Sequence, residues 1–268
     1  MTLMKTTHRN FLVTAAVIII LAAGILYAKK AAAPAPGAAG SATTTTLALP
    51  GGGSIAVSGN GAVIKEVDTT ISVPSYSKPL VFSSSTTSDV QSALTAQFEA
   101  LQSIFKSKPT DYEAWLQLGI IRKIGGDYAG AAADWTYVGE LYPKSPVPHD
   151  DLGDLYLNFT KEYAKAEGEY KQAIALNPQD ANAYRALFSL YADFGYKTGT
   201  TAAVDIMKQA IANNPKAIDL YVLLAQYYAK TGDTANARAE YSAAIAQAQA
   251  QNNPDLAAEL GAEQAALK

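Results

Sequence analysis

The chain has 268 residues, a formal net charge of −3, two histidines and no cysteine. The absence of cysteine excludes disulfides, thiolate catalysis and cysteine-based zinc sites, and leaves the redox compartment open. Lys5, Arg9, Lys29 and Lys30 all lie in the first thirty positions, where there is no acid, which leaves 17 basic against 24 acidic residues elsewhere. That balance is unsuited to a nucleic-acid binder, which needs a basic face to displace counterions.

After a short tail (residues 1–10), residues 11–28 run without charge from Phe11 to Ala28 and contain Val17-Ile18-Ile19-Ile20-Leu21. As a helix this run would span roughly 27 Å, close to the hydrocarbon thickness of a bilayer. Its Phe, Leu, Ile and Val residues together favour insertion by roughly 3 to 6 kcal/mol, so a transmembrane signal anchor is expected here. The alternative is a cleaved signal peptide, since Ala31-Ala32-Ala33 offers small residues at cleavage spacing. A signal core, however, usually runs only about 7 to 15 residues. Lys5 and Arg9 on one side nearly balance Lys29 and Lys30 on the other. The α-amino group and the absence of charge from there to Lys65 favour a cytoplasmic tail and an extracytoplasmic C-terminal part.

Residues 31–87 read as a linker. Up to Thr46 it is dominated by Ala, Pro, Gly, Ser and Thr, which bury too little apolar surface to offset ordering entropy. As a flexible coil the whole stretch would reach about 40 Å. Within it Ile55-Ala56-Val57, Ala62-Val63-Ile64 and residues 69–73 have strand-like composition, and Gly59-Asn60-Gly61 could close a hairpin between the first two. Gly51-Gly52-Gly53-Ser54 lacks the lysine and the strand-to-helix setting of a phosphate loop.

Residues 88–268 read as a helical repeat domain. Ser88-Asp89 offers an N-cap for a helix carrying Leu94, Phe98, Leu101, Ile104 and Phe105 at helical spacing. From there Pro109, Pro143, Pro178 and Pro215 punctuate the chain at a period near 34 residues, each following a helix. The helices before the prolines repeat small and large positions: Ala131, Trp135 and Val138; Ala166, Tyr170 and Ala173; Ala203, Met207 and Ala210; and, without a closing proline, Ala237, Tyr241 and Ala244. Their preceding helices carry Trp115, Leu118 and Gly119; His149, Leu152, Gly153 and Tyr156; Tyr184, Leu187 and Tyr191; and Tyr221, Leu224, Ala225 and Tyr228. Small residues let the two helices of a pair approach, and large ones fill the gaps between pairs. One pair cannot bury its apolar face alone, so stacking is obligatory. The last repeat helix is expected to run on to about Ala250, and Asn252-Asn253-Pro254 to restart a polar capping helix.

This pattern resembles the tetratricopeptide repeat, a 34-residue unit reading W-x2-L-G-x2-Y, then A-x3-F, then proline. The resemblance covers roughly residues 112–248 and implies an all-α right-handed superhelix of stacked antiparallel helix pairs, with residues 88–109 as the second helix of a degenerate leading unit. Arg122 stands where the family often has tyrosine. The second unit has one extra residue near Thr160 to Glu162, and the third about three near Tyr196 to Gly199. The resemblance further implies a protein or peptide partner in the concave groove, whose columns here hold Leu116, Ile120, Asp150, Asp154, Arg185, Ser189, Val222 and Gln226. The family's carboxylate clamp uses lysine and asparagine in such columns, so an acidic tail is disfavoured and a basic, apolar segment expected.

No catalytic set emerges. His149 fills a packing column and has no Cys or second His to complete a dyad or metal set. Asp150, Asp151 and Asp154 read as a solvated acidic face near a helix N-terminus before they read as a metal site. No cofactor or metal is therefore expected. The functional reading is a non-enzymatic, membrane-tethered interaction scaffold or adaptor. The alternatives are a structural component of a cell-envelope or surface assembly and a secreted repeat protein released by signal cleavage.

Overall fold

A computed structural model describes residues 73–268 and, before them, the backbone of two strands, β1 (Thr44–Ala48) and β2 (Ser54–Ser58). The strands pair antiparallel, with Thr44 opposite Ser58 and Ala48 opposite Ser54. Ile55-Ala56-Val57 is thus a strand, but its partner precedes it, so Gly59-Asn60-Gly61 does not join the pair. The run Thr44-Thr45-Thr46, assigned to the tether, supplies the β-branched residues that suit a pleated edge. The expected transmembrane segment at residues 11–28 lies outside the described residues, as does Ala62-Val63-Ile64. Among the described residues no helix is long and apolar enough to cross a membrane.

The helices are α1 (Ser88–Ser107), α2 (Tyr112–Gly125), α3 (Tyr128–Leu141), α4 (Val147–Asp154), α5 (Tyr163–Leu176), α6 (Ala181–Ala192), α7 (Ala202–Asn213), α8 (Ile218–Lys230), α9 (Thr234–Ala250) and α10 (Pro254–Ala265). The four prolines of the repeat period each stand two residues beyond a helix end, after α1, α3, α5 and α7. Proline cannot continue a helix, and these positions fix its stop. Aspartates fix the starts: Asp111, Asp127, Asp180 and Asp233 each accept a backbone N–H of the helix that follows, and Asn253 does so for α10. At α1 the cap position is Thr87 rather than Ser88, which lies in the first turn.

The chain divides into two compact units, one ending at Pro148 and the other beginning at His149. In the first unit α2 packs against both α1 and α3. Trp115 is fully buried among Tyr76, Phe105 and Tyr137, with ring centroids 5.9, 4.8 and 4.8 Å away, and its indole N–H donates to the Pro109 carbonyl at 2.8 Å. Trp135 donates to the Leu116 carbonyl at 3.2 Å. Gly119 lets that ring in, because a Cβ there would stand 2.4 Å from the Trp135 indole nitrogen. Gly119→Ala should therefore cost about 1–3 kcal/mol by overpacking, read as a lower denaturation midpoint.

Residues 73–87, expected to be free linker, instead dock on this unit. Ser83 N–H and the Thr86 hydroxyl both donate to the Gly125 carbonyl, at 2.7 and 3.0 Å, and Tyr76 stacks on Phe105 at 4.9 Å. Arg122, the departure from the family pattern, explains the docking. Its guanidinium donates to the Ser75 carbonyl and, at 2.7 Å, to the wholly buried Asp134. A tyrosine there could supply only one donor and no charge.

In the second unit each helix packs against the next, from α5 through α10, so stability is a sum over neighbouring contacts. The repeat positions are its core: Ala166, Tyr170, Ala173, Tyr184, Leu187, Ala203, Met207, Ala210 and Leu224 share one apolar cluster, and Ala225, Tyr241, Ala244 and Leu260 another. Gly153 repeats the logic of Gly119, since a Cβ there would stand 2.6 Å from the Tyr170 ring. The extra residue of the second repeat is absorbed within the helix rather than in the turn. Leu155–Phe159 winds as a π-helix after α4, with Thr160 N–H donating to the Leu155 carbonyl at 3.1 Å.

Candidate functional site

The residues that the family columns assign to a groove do not share one environment. In the first unit Leu116 is buried, at 6% exposure, and lies in the core rather than on an open face; Ile120 is half-buried. The column marks a helix position, and its exposure depends on what covers it.

In the second unit Arg185, on α6, is spent on an ion pair: its Nε donates to Asp219 of α8 at 2.8 Å, and its Nη1 to Asn182 at 3.0 Å. Ser189 donates to Asp193 at 2.9 Å. Gln226 is exposed and hydrogen bonds Tyr241, while Val222 packs partly into the second apolar cluster. Asp219 and Asp193 escaped the sequence reading. The signal available for Asp219 was its opposite charge one repeat period after Arg185.

Asp154 accepts a hydrogen bond from Asn158 Nδ2 at 2.7 Å. Asp150 keeps its Oδ1 buried without a hydrogen-bond partner. Burial pushes its carboxyl up to about 7, with Asp180 and then Asp151 adding to the rise. The Tyr170 hydroxyl is likewise pushed up, first by burial and then by the charges of Asp154, Asp150 and Asp151. His149 is half-buried and contacts Glu169 through Nδ1 at 2.7 Å, so its column position supports a polar pair as well as packing. Among the described residues no group of three His, Asp or Glu side chains could hold a metal ion.

The raised Asp150 carboxyl makes stability depend on pH. Its folded value lies above the ordinary 3.8, so its contribution to stability is full below about 4 and is lost as pH rises through about 7. Asp150→Asn should abolish that step, checked by comparing denaturation midpoints of the two proteins at pH 5 and pH 8.

Helix pairs repeating at about 34 residues, with small residues at the close approach and rings between pairs, define an α-helical repeat protein. No protein-family profile matches the chain, and no curated protein matches it. Among solved structures it is similar to MamA, at 22% identity and a TM-score of 0.48 over 61% of this chain and 91% of that one. It is also similar to PilF of Pseudomonas aeruginosa, at 15% identity and a TM-score of 0.46 over 65% and 84% of the two chains. A third is YrrB, described as a TPR protein with an unusual peptide-binding site, at 13% identity and a TM-score of 0.43 over 60% and 88%.

Proposed function

We propose that this protein is a non-enzymatic interaction scaffold, tethered to a membrane through residues 11–28 with its repeat domain outside the cytoplasm. In this reading it binds a partner protein segment that carries basic and apolar residues. The observation that carries the partner chemistry is the Asp150 carboxylate, which has a buried oxygen without a partner and feels the charges of Asp180 and Asp151. An arriving lysine or arginine beside the carboxyl would favour its ionisation, so binding and charge development reinforce each other. Arg185 offers no competing site for an acidic ligand, because Asp219 already neutralises it.

The test uses two peptide pools of equal apolar content, one rich in lysine and arginine and one in aspartate and glutamate. The basic pool should bind, and more tightly at pH 8 than at pH 6. Asp150→Lys with Asp154→Lys should weaken that binding about ten- to thirtyfold, as expected for two charge pairs of about 1 kcal/mol each. Equal binding of the two pools, or no effect of the double substitution, would remove this reading. Protease accessibility of the repeat domain in intact cells decides the orientation.

A further inference from the structure

The two repeats that depart from the family turn do so at places that meet. The first and last helix pairs turn tightly on Gly126-Asp127 and Gly232-Asp233, with the glycines at φ 90° and 85°. The second pair instead carries the π-helical turn Leu155–Phe159 followed by Lys161 at φ 59°. The third carries the loop 193–201, in which Lys197 stands at φ 60°. A positive φ on a residue with a side chain persists only where the surroundings over-determine it. Both strained residues are lysines, and their side chains supply those surroundings.

The Lys161 ammonium lies over the Phe194 ring at 5.1 Å, and Tyr163 stands 5.9 Å from Phe194 and 6.1 Å from Tyr196. From the other insertion Lys197 reaches back to α5, its Nζ donating to both Glu167 oxygens at 2.6 and 2.8 Å. The Tyr191 hydroxyl donates to the same carboxylate at 2.6 Å and Lys171 at 2.7 Å. Burial alone would raise the Glu167 carboxyl, but the hydrogen bonds from Lys171, Lys197 and Tyr191 outweigh it and hold it at about 2. The loop backbone is tied to the end of α6, with Phe194 N–H on the Ser189 carbonyl and Tyr196 N–H on the Leu190 carbonyl, each at 3.1 Å.

We propose that the two insertions form one clamp, an ion-and-ring lock across α5 that makes the π-helical turn, the start of α5, the end of α6 and the loop 193–201 open and close as a single block. Each contact is modest alone, since cation–π and aromatic contacts at partly exposed sites are weak. Their joint geometry ties the turn after α4 to the loop 193–201 through Lys161 and Phe194, and that loop to the buried Glu167 carboxylate of α5 through Lys197. The clamp fixes the end of α6, the helix that carries Arg185 and Ser189. Its relevance to a partner rests on the function proposed above, whereas the lock itself is read without any partner.

The experiment is hydrogen exchange on the full chain and on two variants that attack the clamp from different sides. Glu167→Gln removes the charge and leaves the rings; Phe194→Leu removes the ring and leaves the ion cluster. Each should accelerate exchange about tenfold in residues 155–162 and in residues 190–199 together, with α9 unchanged. If either variant fails to fold, the other carries the comparison. Acceleration confined to residues 190–199, spread evenly over the second unit, or absent would overturn the proposal.

Discussion

Arg122→Ala should destabilise the first unit by about 3–5 kcal/mol, the range for removing one partner of a buried ion pair. Asp134 has no exposure, its Oδ2 lacks a hydrogen-bond partner, and the Arg122 guanidinium donates to its Oδ1 at 2.7 Å. Burial already pushes the Asp134 carboxyl upward against the lowering effect of Arg122. Removing the guanidinium leaves burial unopposed and raises it further. A carboxyl whose folded value is raised contributes stability that is lost as pH rises, so the variant should suffer more at pH 9 than at pH 6.

Arg122 has a second role that a paired substitution separates from the first. Arg122→Met with Asp134→Leu replaces the pair by apolar side chains, an exchange that is often neutral for stability. It cannot restore the bond to the Ser75 carbonyl. The double variant should therefore recover most of the denaturation midpoint while residues 73–87 still exchange faster than in the parent. Both tryptophans, Trp115 and Trp135, lie in the first unit, so their fluorescence follows its unfolding specifically. Full recovery of exchange protection in the double variant would show that Arg122 acts only through Asp134.

The repeat was legible because its columns are set by close packing, which tolerates few residue types. Ala131, Ala166, Ala203 and Ala237 are all buried, as are Trp135, Tyr170, Met207 and Tyr241, and a 34-residue period leaves little freedom about where they fall. The extension of the last repeat helix to Ala250 and a further helix after Asn252-Asn253-Pro254 were legible for the same reason. What failed to show were contacts made by residues outside the columns. Nothing in Ser75, Tyr76 or Ser83 marks them as docked; the clue was Arg122, an arginine in a packing column, and a buried arginine demands acceptors. The extra residue of the second repeat was visible, but a sequence cannot say whether a helix widens or a turn lengthens.

The candidate site was less legible than the fold because exposure is not a property of a column. Leu116 and Val222 occupy equivalent positions, yet the first is buried and the second half-buried. Arg185 and Ser189 stand in the columns assigned to a groove, and each finds an acidic partner within its own unit. For Asp150 the feature invisible in the sequence is a carboxylate oxygen withdrawn from solvent without a donor.

Trp115→Ala should cost about 3–5 kcal/mol, the range for truncating a fully buried aromatic side chain. Its position makes the loss more than local. The ring is where three chain segments meet α2: Tyr76 from the docked strap, Phe105 from α1 and Tyr137 from α3. Without it the α2–α3 pair keeps Trp135, with Gly119 beneath it and its bond to the Leu116 carbonyl. The strap and α1 have fewer anchors, so exchange should rise more in residues 73–107 than in residues 112–141. Trp115→Phe separates ring contact from the indole bond. It keeps an aromatic against Phe105 and Tyr137 but leaves the Pro109 carbonyl without its donor, a change of about 1–3 kcal/mol. Trp135 remains to report unfolding by fluorescence in both variants. An even rise across the whole unit in Trp115→Ala would mean that α1, α2 and α3 stand or fall together, and that the strap is held by Arg122 and Gly125 rather than by the ring stack.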